Sequence, residues 1–558
     1  MRVIQKYIPL WEGLRNYKRS DLNGDLSAGF IVAVMLVPQG MAYAMLAGLP
    51  PIIGLYASTF PLVIYALFGS SRQLAVGPVA MLSLLVFAGV SALAEPLSER
   101  YIGFVLVLSL MVGLIQFVMG LLRLGFFINF FSQAVISGFT SAAAIVICLS
   151  QLGHLLGVKL PFRQSMFQLF LEVGHRIGET NPVTLAIGLV SIAVQVFFKI
   201  KFPHFPVALF VVAGSTALAY FFRLDQLGVK IVGNVPQGLP GFSLPPFSLE
   251  SLRLLFPYTL TILFVGFMES ISVAKLIAAK EKYKIDSNQE LKGLGLANIV
   301  ASFFSAYPVT GGFSRTAVNH QAGARTGLAS IITASLIILI LLFFTPLFYY
   351  LPNTALASIV IVAVVGLIDV REAKRLFKVK KIDGWTLTLT FITTLAIGSE
   401  QGILIGMAFS LLVFIWRSSY PHTAELGYLE KENIFRNIER YPAAKTYPEA
   451  LILRVDASLY FANTVFLDDL LRKRIVERPE VKWVVMDLSG VNDIDAVAID
   501  NLENIMDNYR QRDIHFAFTG MKGPVRDLVS KAGWEEKYGE RIRYLSIQHA
   551  LKEIGLTE

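Results

Sequence analysis

The 558-residue chain is 54% apolar and only 16% charged, and its mean hydropathy is +0.60. These values exclude an ordinary soluble protein and indicate a polytopic α-helical membrane protein. The net charge of +9 does not require a nucleic-acid partner, because cytoplasmic loops of membrane proteins carry an excess of Lys and Arg.

Residues 1–20 are expected to form a cytoplasmic segment. They are basic and contain no small-residue cleavage site, so we do not interpret them as a removable signal peptide. With this end in the cytoplasm, the basic clusters at residues 199–201, 280–284 and 371–381 fall on the same side. An even number of spans then also places the C-terminus in the cytoplasm.

Residues 21–420 are expected to hold the membrane domain. Residues 26–71 contain no charged side chain, which is enough for two spans of about 20 residues each. Dividing the other long uncharged runs in the same way predicts about fourteen transmembrane segments. The single Cys148 lies in such a run and is best interpreted as a small buried apolar residue.

The first span carries two polar side chains on one face. Gln39 and Tyr43 are one helical turn apart inside an apolar segment, which favours a binding site over contact with lipid. The alternative is an interhelical hydrogen bond from Gln39 and a Tyr43 hydroxyl that reaches the membrane surface.

After the second span, residues 72–83 combine a short extended run with a Gly-Pro pair. Gly77 and Pro78 precede an apolar stretch, and proline is common at the first helical position. The sequence therefore predicts a helix that is interrupted before it starts again near Pro78.

The eighth span contains one carboxylate. An unpaired charge in a bilayer costs at least ~2.5 kcal/mol, so Glu269 should be paired, protonated or exposed to water. Arg315 is the expected partner, and an acid that alternates between neutral and ionised forms is a simple proton carrier. The alternative partner is Lys275. Further on, Ser287 and Glu290 have the spacing of a capping box at the start of the ninth span.

Residues 306–319 repeat the interruption seen near Gly77. Pro308, Gly311, Gly312 and Arg315 lie between two apolar segments, and broken backbone at membrane depth is tolerated only where it lines a protein cavity. Ser314 and Arg315 are expected to open a short helix whose free N–H groups favour an anion. The alternative is a re-entrant loop with Arg315 directed to lipid headgroups.

The two interruptions suggest an internal repeat. The offset between Gly77 and Gly312 is close to that between the starts of the first and eighth spans, at Leu26 and Leu254. Two halves of about seven spans each must be inverted relative to one another, and matched interruptions point to a transporter binding site where the half-helices meet.

A linker is expected at residues 421–446 and a small α/β domain at 447–558. The pattern predicts strands at 451–455, 483–488 and 515–519, and helices at 464–475, 496–510 and 524–532. The domain has no cluster of metal ligands, no phosphate-binding glycine loop and no catalytic triad, so no enzymatic activity, cofactor or metal is expected.

Several segments resemble motifs of the SulP anion permeases, the family of sulfate permeases and solute carrier 26 proteins. The C-terminal domain, with Arg454-Val455-Asp456-Ala457-Ser458-Leu459-Tyr460-Phe461-Ala462-Asn463, resembles a STAS domain. The membrane segments that carry the resemblance are Pro38-Gln39-Gly40-Met41-Ala42-Tyr43-Ala44, Val76-Gly77-Pro78-Val79-Ala80, Asn288-Gln289-Glu290-Leu291, Gly295-Leu296-Ala297-Asn298 and Phe313-Ser314-Arg315-Thr316.

The resemblance implies a seven-plus-seven inverted repeat with core and gate subdomains, an elevator-like mechanism and a homodimer. It implies an anion between half-helices 3 and 10, and a proton-coupling role for Glu269 with Arg315; the aspartate and threonine of sodium-coupled members are absent beside Glu269. The phosphorylated serine of bacterial antagonist proteins is replaced, since Ala496 follows Asp495. The implied substrate-binding residues are Gln39, Tyr43, Val79, Ala80, Phe313, Ser314 and Arg315.

Proton-coupled sulfate uptake across the cell (inner or plasma) membrane is the leading hypothesis, with a cytoplasmic protein partner at the STAS domain. Bicarbonate, dicarboxylate or chloride transport is the alternative within the family. A membrane-anchored signalling protein is the alternative from another class, and it predicts that removal of the residues after Pro421, but not Arg315→Ala, abolishes function.

Overall fold

The computed structural model describes residues 9–15, 17–130, 132–158, 166–202 and 205–557. Residues 1–8 of the expected N-terminal segment lie outside this part. The chain divides into two compact units, Met1–Ser410 and Leu411–Glu558. The division falls inside the last apolar helix, about ten residues before the predicted end of the membrane domain.

The first half of unit 1 is mostly helical. Its elements are α1 (Pro9–Arg15), α2 (Arg19–Leu46), α3 (Pro51–Tyr56), α4 (Phe60–Phe68), β1 (Val76–Gly77), α5 (Ala80–Ser91), α6 (Glu99–Leu121), α7 (Gln133–Ser150), α8 (Leu152–Leu156), α9 (Met166–His175), α10 (Pro182–Lys201) and α11 (Val207–Phe221).

The second half begins with the longest helix of the described chain. The elements are α12 (Leu249–Lys280), α13 (Ser287–Phe303), β2 (Thr310–Gly311), α14 (Phe313–Gln321), α15 (Leu328–Phe343), α16 (Asn353–Val365), α17 (Val370–Val379), α18 (Lys381–Ala396) and α19 (Ser399–Ser419).

Eight helical segments in the described ranges are long and apolar enough to cross a membrane, and α5, α11 and α15 are shorter apolar helices. With α13, α14 and α18, they give seven segments before residue 249 and seven from there on. The fourteen segments of the predicted inverted repeat are therefore present.

The third segment of each half is interrupted, as the glycines and prolines predicted. Strand β1 precedes α5 and strand β2 precedes α14, and the strands pair antiparallel with Val76 opposite Gly311 and Gly77 opposite Thr310. The predicted helix starts were slightly wrong. Helix α5 begins at Ala80 rather than near Pro78, and α14 begins at Phe313 rather than Ser314.

The predicted capping box at the start of α13 was also wrong. Asp286, not Ser287, caps this helix through its carboxylate. Glu290 is fully buried and accepts hydrogen bonds from the Tyr65 hydroxyl (2.8 Å) and the Ser70 backbone N–H (2.6 Å). Because its buried carboxylate oxygens already accept hydrogen bonds from residues distant in sequence, Glu290 does not cap the start of α13.

The elements of unit 2 are β3 (Thr423–Leu429), β4 (Ile434–Asn437), β5 (Ala450–Val455), α20 (Thr464–Glu477), β6 (Trp483–Asp487), α21 (Ala496–Arg510), β7 (His515–Thr519), α22 (Gly523–Lys531), α23 (Trp534–Tyr538) and α24 (Ile547–Glu553). The strands form one sheet in the order β4-β3-β5-β6-β7, in which β5, β6 and β7 are parallel. The three predicted strands, found as β5, β6 and β7, and the three predicted helices, found as α20, α21 and α22, match within two residues, whereas the other four elements were not predicted.

The segment 421–446, predicted as a linker, instead supplies strands β3 and β4 of this sheet. They form a hairpin in which Leu429 pairs with Ile434, and β3 pairs antiparallel with β5. Asn433 adopts a positive φ of 55° in the turn, which asparagine tolerates better than most residues. The sheet therefore begins about twenty-five residues earlier than expected.

Asp456 follows β5 and lies between two basic side chains. Its carboxylate accepts hydrogen bonds from Arg454 Nε (2.6 Å) and Nη2 (3.0 Å) and lies 2.8 Å from His422 Nδ1. Burial alone would raise the pKa of Asp456, but these contacts hold that pKa below its ordinary value.

We expect Asp456→Asn to destabilise the sheet by about 1 kcal/mol at neutral pH. Because the folded pKa is the lower one, the contribution is complete above the unfolded pKa of about 3.9 and is lost as pH falls through the folded pKa. Amide hydrogen exchange of β5 in the full-length protein measures the effect. The exposed carboxylate of Asp469 on α20 provides the control, Asp469→Asn. An equal effect of both variants at neutral pH contradicts the prediction.

Candidate functional site

The site is built where the two interrupted helices start. The pairing of β1 with β2 brings Val79 and Gly312, the residues that precede α5 and α14, close together. Both have extended backbone, and neither supplies a side-chain hydrogen bond to its helix. The first N–H groups of both helices, with the positive ends of two helix dipoles, therefore converge on one region.

Arg315 is the cation of this region and is only 2% exposed. Its Nη1 donates to the carbonyl of Pro78 (2.6 Å), which joins α14 to the chain segment before α5. Within the part of the chain that the structure describes, Nε and Nη2 have no hydrogen-bond partner. Arg315 thus has N–H groups that are available to donate hydrogen bonds to an anionic ligand.

Glu269 lies on α12, and its Oε2 is buried with no hydrogen-bond partner among the described residues. Glu269 and Arg315 interact electrostatically. The expected ion pair between Glu269 and Arg315 is not formed, because no nitrogen of Arg315 lies within 4.0 Å of a Glu269 carboxylate oxygen. The alternative ion pair between Glu269 and Lys275 is not formed within 4.0 Å either. The carboxylate and the guanidinium are therefore neighbours without neutralising each other by contact.

Helix α2 contributes the two polar residues of the first span. Gln39 and Tyr43 are both buried, and Gln39 Oε1 has no hydrogen-bond partner among the described residues. Tyr43 is within electrostatic reach of both Arg315 and Glu269. The structure therefore brings Tyr43, Glu269 and Arg315 together, with Gln39 one turn away on the same helix.

The remaining candidate residues differ in exposure. Val79 and Ala80 are buried at the start of α5, whereas Phe313 is 51% exposed and Ser314 is also exposed at the start of α14. Because Phe313 and Ser314 are exposed, the start of α14 is the accessible side of the region.

Three polar residues that hold β2 in place were not predicted as part of the site. The Asn298 amide pairs with both backbone groups of Val309, accepting from its N–H (2.7 Å) and donating to its carbonyl (3.2 Å). Ser270 and Thr310 hydrogen-bond to each other (2.6 Å). An asparagine in the largely apolar second half of α13 was a usable signal for Asn298. A serine or threonine is a weaker signal, because its hydroxyl can bond to nearby backbone.

The described ranges contain no group of three or more His, Cys, Asp and Glu side chains that could hold a metal ion. The donors that converge here are backbone N–H groups and one guanidinium. Such groups bind anions, because they offer hydrogen-bond donors and positive potential together.

Gly312→Ala is expected to displace the Arg315 guanidinium and weaken anion binding several-fold. A Cβ at Gly312 would lie 2.9 Å from Arg315 Nη2 and 3.3 Å from Val79 Cγ1, closer than a methyl group tolerates. Ligand-induced thermal stabilisation of the purified protein, titrated with sulfate, measures the change. Gly214→Ala is the control, because its Cβ would meet no atom within 4 Å. Equal affinities in the two variants contradict the prediction.

Comparisons with known proteins cover the whole chain. The family model described as Sulfate permease family matches residues 22–390, and the STAS domain model matches residues 441–548. Sulfate transporter 4.1, chloroplastic, from Arabidopsis thaliana is 40% identical over 569 residues, covering 98% of this chain and 82% of the plant protein.

Two solved structures share the fold. Murine Solute Carrier 26 family member A9, described as an anion transporter in the inward-facing state, has a TM-score of 0.91 at 24% identity and covers 100% of this chain and 95% of its own. The transmembrane domain of a cyanobacterium bicarbonate transporter, BicA, has a TM-score of 0.61 at 24% identity, covering 71% of this chain and 98% of its own.

Proposed function

Because this chain belongs to the sulfate permease family and carries a STAS domain, we propose that it is a secondary active transporter that takes up sulfate together with protons. The observation that supports anion binding most directly is the convergence of two uncapped helix N-termini beside the buried Arg315. The choice of sulfate rests on the plant relative, which is named a sulfate transporter.

Anion binding in this proposal uses donors and potential rather than a metal. Backbone N–H groups at the starts of α5 and α14 donate to the sulfate oxygens, and the Ser314 hydroxyl and Gln39 amide add side-chain donors. Arg315 supplies positive potential at close range. Tyr43, Val79, Ala80 and Phe313 form the remaining walls.

Proton coupling in this proposal uses Glu269. When its carboxyl group is protonated, the charge of Arg315 is available to attract the anion. When Glu269 is ionised, its negative charge offsets that of Arg315, so the anion leaves more readily. Protonation of Glu269 therefore favours anion binding, and its deprotonation favours anion release.

The proposal extends to the setting of the protein. We place both termini and the STAS domain in the cytoplasm, because the basic clusters between spans fall on that side. The protein is a homodimer in the inner or plasma membrane and works by an elevator-like movement of the core against the gate. The STAS domain binds a cytoplasmic protein partner.

Uptake of labelled sulfate by the full-length protein in proteoliposomes tests this function. Uptake should exceed that of protein-free liposomes and increase when the outside is made more acidic than the inside. Competition with labelled sulfate by bicarbonate, dicarboxylates or chloride tests whether the protein also transports these anions. Absence of sulfate uptake overturns the sulfate assignment, and uptake that ignores the pH gradient overturns proton coupling.

A further inference from the structure

Two hydroxyl groups connect the helix that carries Glu269 to the strand before α14. The Gly311 N–H donates to Ser270 Oγ (2.8 Å), Ser270 Oγ lies 2.6 Å from Thr310 Oγ1, and Thr310 Oγ1 donates to the Gly266 carbonyl (2.5 Å). A carbonyl can only accept, so the Thr310 proton is used there. Ser270 must therefore donate to Thr310, and the direction of the whole hydroxyl chain is fixed.

The hydroxyl chain joins the two functional parts of the site. Gly266 and Ser270 flank Glu269 on α12, three residues before it and one after it. Thr310 and Gly311 form β2, which leads directly into α14 and Arg315. The chain therefore connects the turn of α12 that presents the carboxylate to the backbone that presents the helix end.

Close approach at this point depends on the absence of a side chain at position 266. A Cβ there would lie 3.3 Å from Thr310 Oγ1 and 3.3 Å from Leu82 Cδ2. Ser270 and Thr310 are themselves 0% and 1% exposed. Because water does not reach these hydroxyl groups, loss of one leaves its partner unsatisfied at full cost.

The β2 segment already has other supports. It pairs with β1, and Asn298 on α13 satisfies both backbone groups of Val309. The hydroxyl chain adds hydrogen bonds from β2 to α12, where the carboxylate lies. The hydroxyl chain therefore fixes the distance between Glu269 and the start of α14. This distance determines how strongly the charge of Glu269 acts on Arg315 and on an anion bound at the helix end.

We propose that Thr310 and Ser270 are positioning residues, which hold the anion-binding end of α14 at a fixed place relative to Glu269 and thereby set both anion affinity and proton coupling. This inference rests on the proposed transport function. Neither hydroxyl has a free proton for the anion, since each already donates within the hydroxyl chain.

The test compares Thr310→Val, which removes the hydroxyl at nearly constant shape, with Thr310→Ser, which keeps it. Each full-length variant is assayed for sulfate–sulfate exchange at equal pH on both sides, and for uptake with and without a pH gradient. We expect Thr310→Val to raise the KM for sulfate about tenfold and to lose most stimulation by the gradient. Thr310→Ser should stay within about twofold of the unmodified protein in both assays.

The results separate this inference from the proposed function. If the unmodified protein exchanges no sulfate, the proposed function fails. If it transports sulfate with protons, but Thr310→Val and Thr310→Ser have the same KM and gradient response, the positioning role fails. A fall in Vmax alone for Thr310→Val also overturns it, because that indicates only less folded protein.

If Thr310→Val does not insert into membranes, Ser270→Ala decides the question. It keeps the bond from Thr310 to Gly266 and should raise the KM in the same direction by a smaller factor. Ser302→Ala is its control, since among the described residues that buried hydroxyl bonds only to the Ile299 carbonyl of its own helix. Identical kinetics of the two serine variants overturn the proposal.

Discussion

Arg315→Gln is expected to reduce sulfate uptake to nearly the background of protein-free liposomes. The guanidinium is buried, and two of its N–H-bearing nitrogens have no partner among the described residues. Unit charges 4 Å apart attract by about 4 kcal/mol at an effective dielectric constant of about 20. Loss of even half of that attraction weakens binding roughly thirtyfold.

The control for this prediction is Arg325→Gln. Arg325 follows α14, its side chain is 57% exposed, and it contacts Glu281 at 3.5 Å, so uptake should stay within about twofold. Size-exclusion profiles of both variants establish that they are folded. A folded Arg315→Gln protein with uptake near that of the unmodified protein removes Arg315 from the site.

Glu269→Gln is expected to separate sulfate movement from the proton gradient. Glutamine resembles the protonated carboxyl group in shape and stays neutral at every pH, so the charge of Arg315 remains available to the anion. Sulfate exchange at equal pH should therefore persist, whereas acidifying the outside should no longer increase uptake. Paired assays measure the ratio of sulfate uptake with the pH gradient to sulfate uptake without it.

Glu250→Gln provides the matched control, because Glu250 is exposed at the start of the same helix. It should keep the full stimulation by the gradient. Uptake by Glu269→Gln that still follows the gradient shows that another group carries the proton.

The interruptions of the third and tenth segments were predictable, because their signal is local. Gly77, Pro78, Pro308, Gly311 and Gly312 lie inside otherwise apolar runs, where such residues have few explanations apart from broken backbone. The same reasoning located Arg315 at the start of a short helix. The sequence also predicted the parallel strands of the C-terminal sheet, because each is an apolar run bounded by turn residues.

Other features depended on contacts between distant residues. The spacing of Ser287 and Glu290 suited a helix cap, but Tyr65 and Ser70 are better partners for Glu290 and are more than two hundred residues away in sequence. The hydroxyl groups of Ser270 and Thr310 have no distinctive pattern. A sequence likewise gives no distance between Glu269 and Arg315, so the absence of a direct ion pair needed the structure.

The β1–β2 pairing also has a consequence for biosynthesis. The Ala75 N–H donates to the hydroxyl of Thr316, which lies 241 positions later in the sequence. Val76 and Gly77 pair with Gly311 and Thr310, which are also synthesised much later. At 5 to 20 residues per second, roughly 10 to 50 s of translation separate these partners. During that interval the nascent first half holds peptide groups that lipid cannot satisfy. We therefore expect these peptide groups of the first half to stay in contact with water or with the translocation machinery until the second half emerges from the ribosome.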